Sequence, residues 1–69
     1  MNKFKFLLIS EYYDVETHER LHYTDFGFRH LPGLLTFYRY LLRDGYVYEF
    51  QFKRFVKEVG SLSNVIYLV

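Results

Sequence analysis

Sixteen of the 69 residues are phenylalanine or tyrosine, eight of each, and there is no tryptophan. A chain this short buries only about 60% of the surface that its unfolded form exposes. It has room for one modest core, and that core cannot enclose every ring. Some rings must stay partly wet, and tyrosine, with an apolar body and a polar tip, is the residue best suited to a wet interface. The aromatic load therefore points to a chain that binds something, without saying what.

The length allows one domain over residues 1–69, near the lower limit for folding without a covalent or metal staple. Cysteine is absent, which excludes a disulfide framework and a thiolate metal site and favours a reducing, cytoplasmic compartment. The apolar stretch Phe4 to Ser10 is too short for a signal-peptide core. It is interrupted by Lys5 and followed by Glu11-Tyr12-Tyr13-Asp14 instead of a small-residue cleavage site. No run approaches the roughly 18 to 20 apolar residues of a membrane span, so the expected protein is soluble and free of the membrane. The net charge of +1 hides an asymmetry. Residues 11–25 carry Glu11, Asp14, Glu16, Glu19 and Asp25 against Arg20. From Arg29 to Lys57 six basic residues face only Asp44 and Glu49. Such a division steers a charged partner, or neutralises itself within the fold or across a dimer.

Periodicity supplies the fold. Phe4, Phe6 and Leu8 alternate with Lys3, Lys5 and Leu7, the pattern of a half-buried strand over Asn2 to Ile9. Asp14 to Glu19 is polar and turn-like, and Leu21, Tyr23 and Asp25 alternate after it. The segment reads as a β-hairpin over residues 3–26, with a helix from Val15 to Tyr23 as the competing reading. Leu34, Phe37, Tyr38, Leu41 and Leu42 follow the i, i+3, i+4, i+7, i+8 spacing of an amphipathic helix over 31–45. Pro32 suits its first turn and Gly45 its end. After Gly45 the period becomes two, with Tyr46, Tyr48, Phe50 and Phe52 on one strand face. Residues 53–59 suit either strand or helix. Gly60-Ser61 and Ser63-Asn64 mark a turn, and Val65 to Val69 forms a β-branched terminal strand. The expected class is α+β: a mostly antiparallel sheet of about four strands in the order ββαββ, with one amphipathic helix on one face.

Two short patterns carry chemistry. His18-Glu19-Arg20-Leu21-His22 matches H-E-x-x-H and over those five residues resembles the zincin metalloproteases. That resemblance implies two zinc-binding histidines and a glutamate general base. The chemistry needs a helix, so that positions i and i+4 converge, and a third ligand such as Asp25 or His30. In a strand His18 and His22 would stand about 13 Å apart. Surface histidines in a polar hairpin are the expected outcome, with His18, His22 and His30 as the alternative metal set and no cofactor. Gly45-Tyr46-Val47-Tyr48-Glu49-Phe50 partly resembles the aromatic strand of RNA-recognition modules, which stack bases on exposed rings. Val47, Glu49 and Gln51 depart from that pattern. Nothing supports nucleophilic catalysis or a phosphate loop: Ser10, Ser61 and Ser63 lack a G-x-S-x-G context and the glycines are scattered.

The expectation is a non-enzymatic interaction module that regulates or inhibits a larger protein by masking its functional surface. An inhibitor carried by a phage or mobile element is one such case. Single-stranded nucleic-acid binding is the second class, and a metal-dependent hydrolase built on the HERLH segment the third. Arg39, Tyr40 and Arg43 lie opposite the apolar helix stripe, where folding does not need them, and Tyr and Arg are enriched at hot spots. With Lys53, Arg54 and Lys57 they form the expected binding set. Apolar strands at both ends of the chain, Phe4 to Ile9 and Val65 to Val69, suggest an unpaired sheet edge and hence a homodimer.

Overall fold

A computed structural model describes residues 5–69. The chain runs β1 (Phe6–Asp14), β2 (Arg20–Phe28), α1 (Leu31–Arg43), β3 (Val47–Glu49), β4 (Arg54–Val59) and β5 (Leu62–Leu68). The five strands form one antiparallel sheet in the spatial order β2-β1-β5-β4-β3, with α1 lying across one face. The architecture is α+β, with ββαβββ in place of the expected ββαββ. Asn2, Lys3 and Phe4, the start of the expected first strand, lie outside the described residues.

The first hairpin closes where the sequence places it. Asp14 Oδ1 accepts the backbone N–H groups of Glu16 and Thr17 at 2.9 Å each. The Asp14 N–H reaches the Glu19 carbonyl at 2.9 Å, and His18 adopts the left-handed conformation the reversal needs, φ 62°. This is the side-chain-to-backbone turn that aspartate favours. It excludes the competing helix over Val15 to Tyr23. Helix α1 begins with Pro in its first turn and ends in a Schellman motif. The Tyr46 N–H bonds the Leu41 carbonyl at 2.9 Å and the Gly45 N–H bonds the Leu42 carbonyl at 3.3 Å, with Gly45 at φ +96°.

After Gly45 the structure corrects the sequence reading. The strand expected through Phe52 stops at Glu49, and Phe50 to Lys53 make the turn into β4. Lys53 sits at φ 53°, and Arg54 returns opposite Glu49. The segment Phe50-Gln51-Phe52-Lys53 contains no Gly, Pro, Asn or Asp, so the reversal leaves no compositional mark. The four rings consequently share no face. Tyr46 and Tyr48 pack beneath α1, whereas Phe50 is 83% and Phe52 58% exposed. Residues 54–59, ambiguous by period, form a strand because β3 and β5 pair with both of its edges. β1 and β5 both lie inside the sheet. The edges are β2 and β3, so the terminal apolar strands are not the edges the sequence suggested.

The core beneath α1 is Leu8, Leu34, Leu41, Phe55 and Ile66, with rings from Phe26, Phe28 and Phe37 closing one side. Those three rings meet at centroid distances of 5.2 to 6.1 Å, the range of favourable aromatic pairs. Alternation sends Leu7, Ile9, Glu11, Tyr13, Val65 and Tyr67 to the opposite face, which carries no helix among the described residues.

Candidate interaction surface

The leucines of α1 and the β3–β4 turn together shape an apolar concavity. Leu34 and Leu41 point straight into the core, but Leu42, assigned by spacing to the same stripe, is 56% exposed. At 3.6 residues per turn Leu31, Leu35 and Leu42 lie roughly 60–100° around from Leu34. They form a second apolar shoulder, each about half exposed. The β3–β4 turn places Phe50 beside that shoulder. Between them opens a groove of about 500 Å³, with Leu8 and Phe55 beneath and Tyr38, Leu42, Tyr48, Phe50 and Leu68 around it. Lys53 is the one charged residue among the described residues that line it. The Phe50 ring meets Tyr48 edge-on at 4.9 Å, and Tyr48 meets Phe55 at 4.8 Å. A continuous aromatic path thus leads from solvent to the core. Burial, with a smaller contribution from Tyr48, pushes the Tyr38 phenol above the usual tyrosine range, as expected for a neutral wall.

A second, polar cleft of about 540 Å³ lies by the C-terminal end of α1, between the helix and β1 and β5. Its floor is Asn64, only 2% exposed. Asn64 Nδ2 donates to Ser10 Oγ at 2.9 Å and to the Glu11 carbonyl at 3.0 Å, and its Oδ1 accepts a short hydrogen bond from the Tyr46 hydroxyl. Burial first, then the nearby Tyr12 and Asp44, raises the Tyr46 pKa. Tyr12, Tyr40, Arg43 and Asp44 stand around the opening.

The residues expected to form one binding set divide among separate places. Tyr40 and Arg43 border the polar cleft. Lys57 is nearby, its Nζ 3.3 Å from Asp44 and 5.7 Å from the Tyr46 ring centre. Arg39 is exposed on the helix and lines neither concavity. Lys53 belongs to the apolar groove. Arg54 lies on the helix-free face, bonded to Glu49 at 2.5 Å with its guanidinium 4.7 Å over the Phe52 ring. Sequence reasoning missed Leu42 and Phe50. The leucine shoulder was legible at helical spacing; the exposure of Phe50 was not, because it depends on where β3 ends.

The helix-free face is built around Glu11, a carboxylate 5% exposed. Desolvation raises its pKa. Hydrogen bonds from Arg20, Tyr13 and Tyr67 and the charge of Arg20 outweigh that and hold it below the usual glutamate value. Arg20 Nη1 lies 2.9 Å from Oε2 and the Tyr13 hydroxyl 3.0 Å from Oε1. Burial and then Glu11 raise the Tyr13 pKa in turn. Besides Glu11, strand alternation places Asp25, Glu49 and Glu58 on this face, and its strand arginines, Arg20 and Arg54, are both already paired.

The HERLH segment is not helical. His18 and Glu19 lie in the turn and Arg20 to His22 in β2. His30 precedes α1 at the far end of β2, about 27 Å of strand from the hairpin turn. The three histidines therefore do not converge, and no group of three His, Asp or Glu among the described residues is placed to hold a metal ion. None of the described helices is long and apolar enough to cross a membrane. No protein-family model, curated protein or solved structure matched the chain.

Proposed function

We propose that the chain is a small, non-enzymatic, cytoplasmic interaction module that docks an apolar segment of a larger protein and thereby masks that protein's functional surface, as a regulator or inhibitor does. The observation that carries this reading is Phe50, held in the open beside an apolar groove that folding leaves unfilled. Large rings beside a desolvated pocket are the usual anchors of protein interfaces. Tyr40 and Arg43, at the polar cleft on the other flank of α1, supply the polar rim, and the module works as a homodimer.

Single-stranded nucleic acid is the weaker reading. The rings on the helix-free face sit among four carboxylates, with both strand arginines neutralised. Phosphate binding requires unpaired cations beside the stacking rings. That face offers none among its strand arginines, and Lys53 beside Phe50 is a single cation in an otherwise apolar groove. Capture from host lysate, with and without nuclease and at low and moderate salt, tests the choice. The expected result is one discrete protein that survives nuclease and is lost with the Phe50→Ala/Leu42→Ala chain. Both residues are exposed, so that chain should keep its circular dichroism. Loss of all bound material after nuclease would select nucleic acid. Undiminished capture by the double variant, with loss in Arg39→Ala/Tyr40→Ala/Arg43→Ala, would move the site to the outer helix face.

A further inference from the structure

β2 is the long outer edge of the sheet. The other edge, β3, has three residues; β2 has nine, of which the first six are exposed. In an antiparallel ladder alternate residues bond to the left and right neighbours. The Val69 N–H donates to the Leu7 carbonyl at 2.9 Å and the Val15 N–H to the Ser61 carbonyl at 3.0 Å. Odd-numbered residues of β1 therefore bond toward β5 and even-numbered ones toward β2. The register sets Tyr12 against His22, Ser10 against Thr24 and Leu8 against Phe26. His22, Thr24 and Phe26 thus turn their backbone groups inward, while Tyr23 and Asp25 present theirs to solvent. Natural sheets guard such an edge with proline, lysine, extreme shortness or a cover. The stretch from His22 to Phe26 has no proline, lysine or cover among the described residues, and its one charge is Asp25. The one irregularity, which leaves Leu21 unpaired, falls just outside it.

We propose that β2 pairs antiparallel with β2 of a second copy about a two-fold axis through Thr24, joining two five-stranded sheets into one. The occupant follows from the strand's own chemistry. Outward-facing groups must meet outward-facing groups, which near the middle of the strand allows an axis through Tyr23, Thr24 or Asp25. An axis through Asp25 sets two carboxylates directly opposite each other, which is unfavourable. An axis through Tyr23 sets the unpaired Leu21 against the partner's Asp25. The Thr24 axis pairs His22 to Phe26 entirely with itself. Tyr23, a phenol donor, stands opposite the partner's Asp25, an acceptor, and His22 opposite the partner's Phe26. No like charges oppose each other, and the β-branched Thr24 faces its own copy. This deepens only the homodimer part of the reading above and needs neither the groove nor its partner. A Phe50→Ala chain that dimerises yet captures nothing separates the two.

The chain has no cysteine, so an engineered thiol reports without ambiguity. Thr24 would occupy a non-hydrogen-bonded pair with Cα atoms about 4.5 Å apart, inside the disulfide range of roughly 4.4–6.8 Å. Thr24→Cys should give a covalent dimer under mild oxidation, and Thr36→Cys, exposed on α1, should not. Sedimentation of the wild-type chain should give twice 8.5 kDa at high micromolar concentration. Tyr23→Pro removes an N–H that points outward, so it should yield a folded monomer. If that variant fails to fold, Thr24→Lys sets two ammonium groups opposite each other and should weaken dimerisation by up to about fivefold. A wild-type monomer at every concentration would overturn the proposal, as would a dimer that Thr24→Cys fails to cross-link and Thr24→Lys leaves unchanged.

Discussion

Replacing Asn64 by alanine tests whether a polar group in the core specifies this fold or merely tolerates it. Asn64 makes three hydrogen bonds while almost wholly buried, and no buried side-chain N or O among the described residues lacks a partner. Removing the amide strands the Ser10 hydroxyl, which is itself buried. An orphaned buried polar group costs about 1–3 kcal/mol. The Tyr46 hydroxyl also loses its acceptor, but it lines the open cleft where water reaches it, so its share is about 1 kcal/mol. The expected loss for Asn64→Ala is therefore about 2–4 kcal/mol. Total stability at this size is about 3–10 kcal/mol, so the loss is a large part of it. Urea unfolding followed by circular dichroism and tyrosine fluorescence measures it directly. Ser10→Ala provides the control, because it removes the group that Asn64→Ala strands. The double variant should be less damaged than the sum of the two singles by about 1 kcal/mol. A loss below about 1 kcal/mol for Asn64→Ala, or strict additivity in the double variant, would refute the reasoning.

Two other perturbations address local devices. Glu11 has a folded pKa below its unfolded value, so its contribution is present above the ordinary glutamate pKa and is lost as pH falls through the folded value. Wild-type stability should thus decline in acid below about pH 4.3, and Glu11→Gln should flatten that decline while lowering stability at neutral pH, as read from urea midpoints across pH. Gly45 holds φ +96° with only the Lys57 side chain nearby. Gly45→Ala should accordingly cost about 1 kcal/mol from backbone strain alone, and a thermal melt showing no loss would contradict the Schellman assignment.

The sequence by itself determined the elements whose causes are local. The helix was legible from the spacing of Leu34, Phe37, Tyr38 and Leu41, bounded by Pro32 and Gly45, since periodicity and capping act within a few turns. The turn at Asp14 was legible because aspartate bonds its own neighbouring backbone. The terminal strand was legible in its β-branched run from Val65, but Ser63-Asn64, read as a turn, lies inside β5, because pairing with β1 and β4 carries the strand back to Leu62. What only the tertiary structure decided is where distant segments meet. β5 inserts between β1 and β4, so both terminal strands become internal and β2 becomes the long edge. The end of β3 depends on β4 returning with Arg54 opposite Glu49, a pairing that Phe50 to Lys53 do not signal in their composition. From that one reversal come the exposure of Phe50, the separation of Lys53 from Arg54 and the groove beside Leu42. Periodicity reports which face a residue prefers. Which face remains uncovered is settled by the strand order, a long-range choice that the alternation of a single segment does not contain.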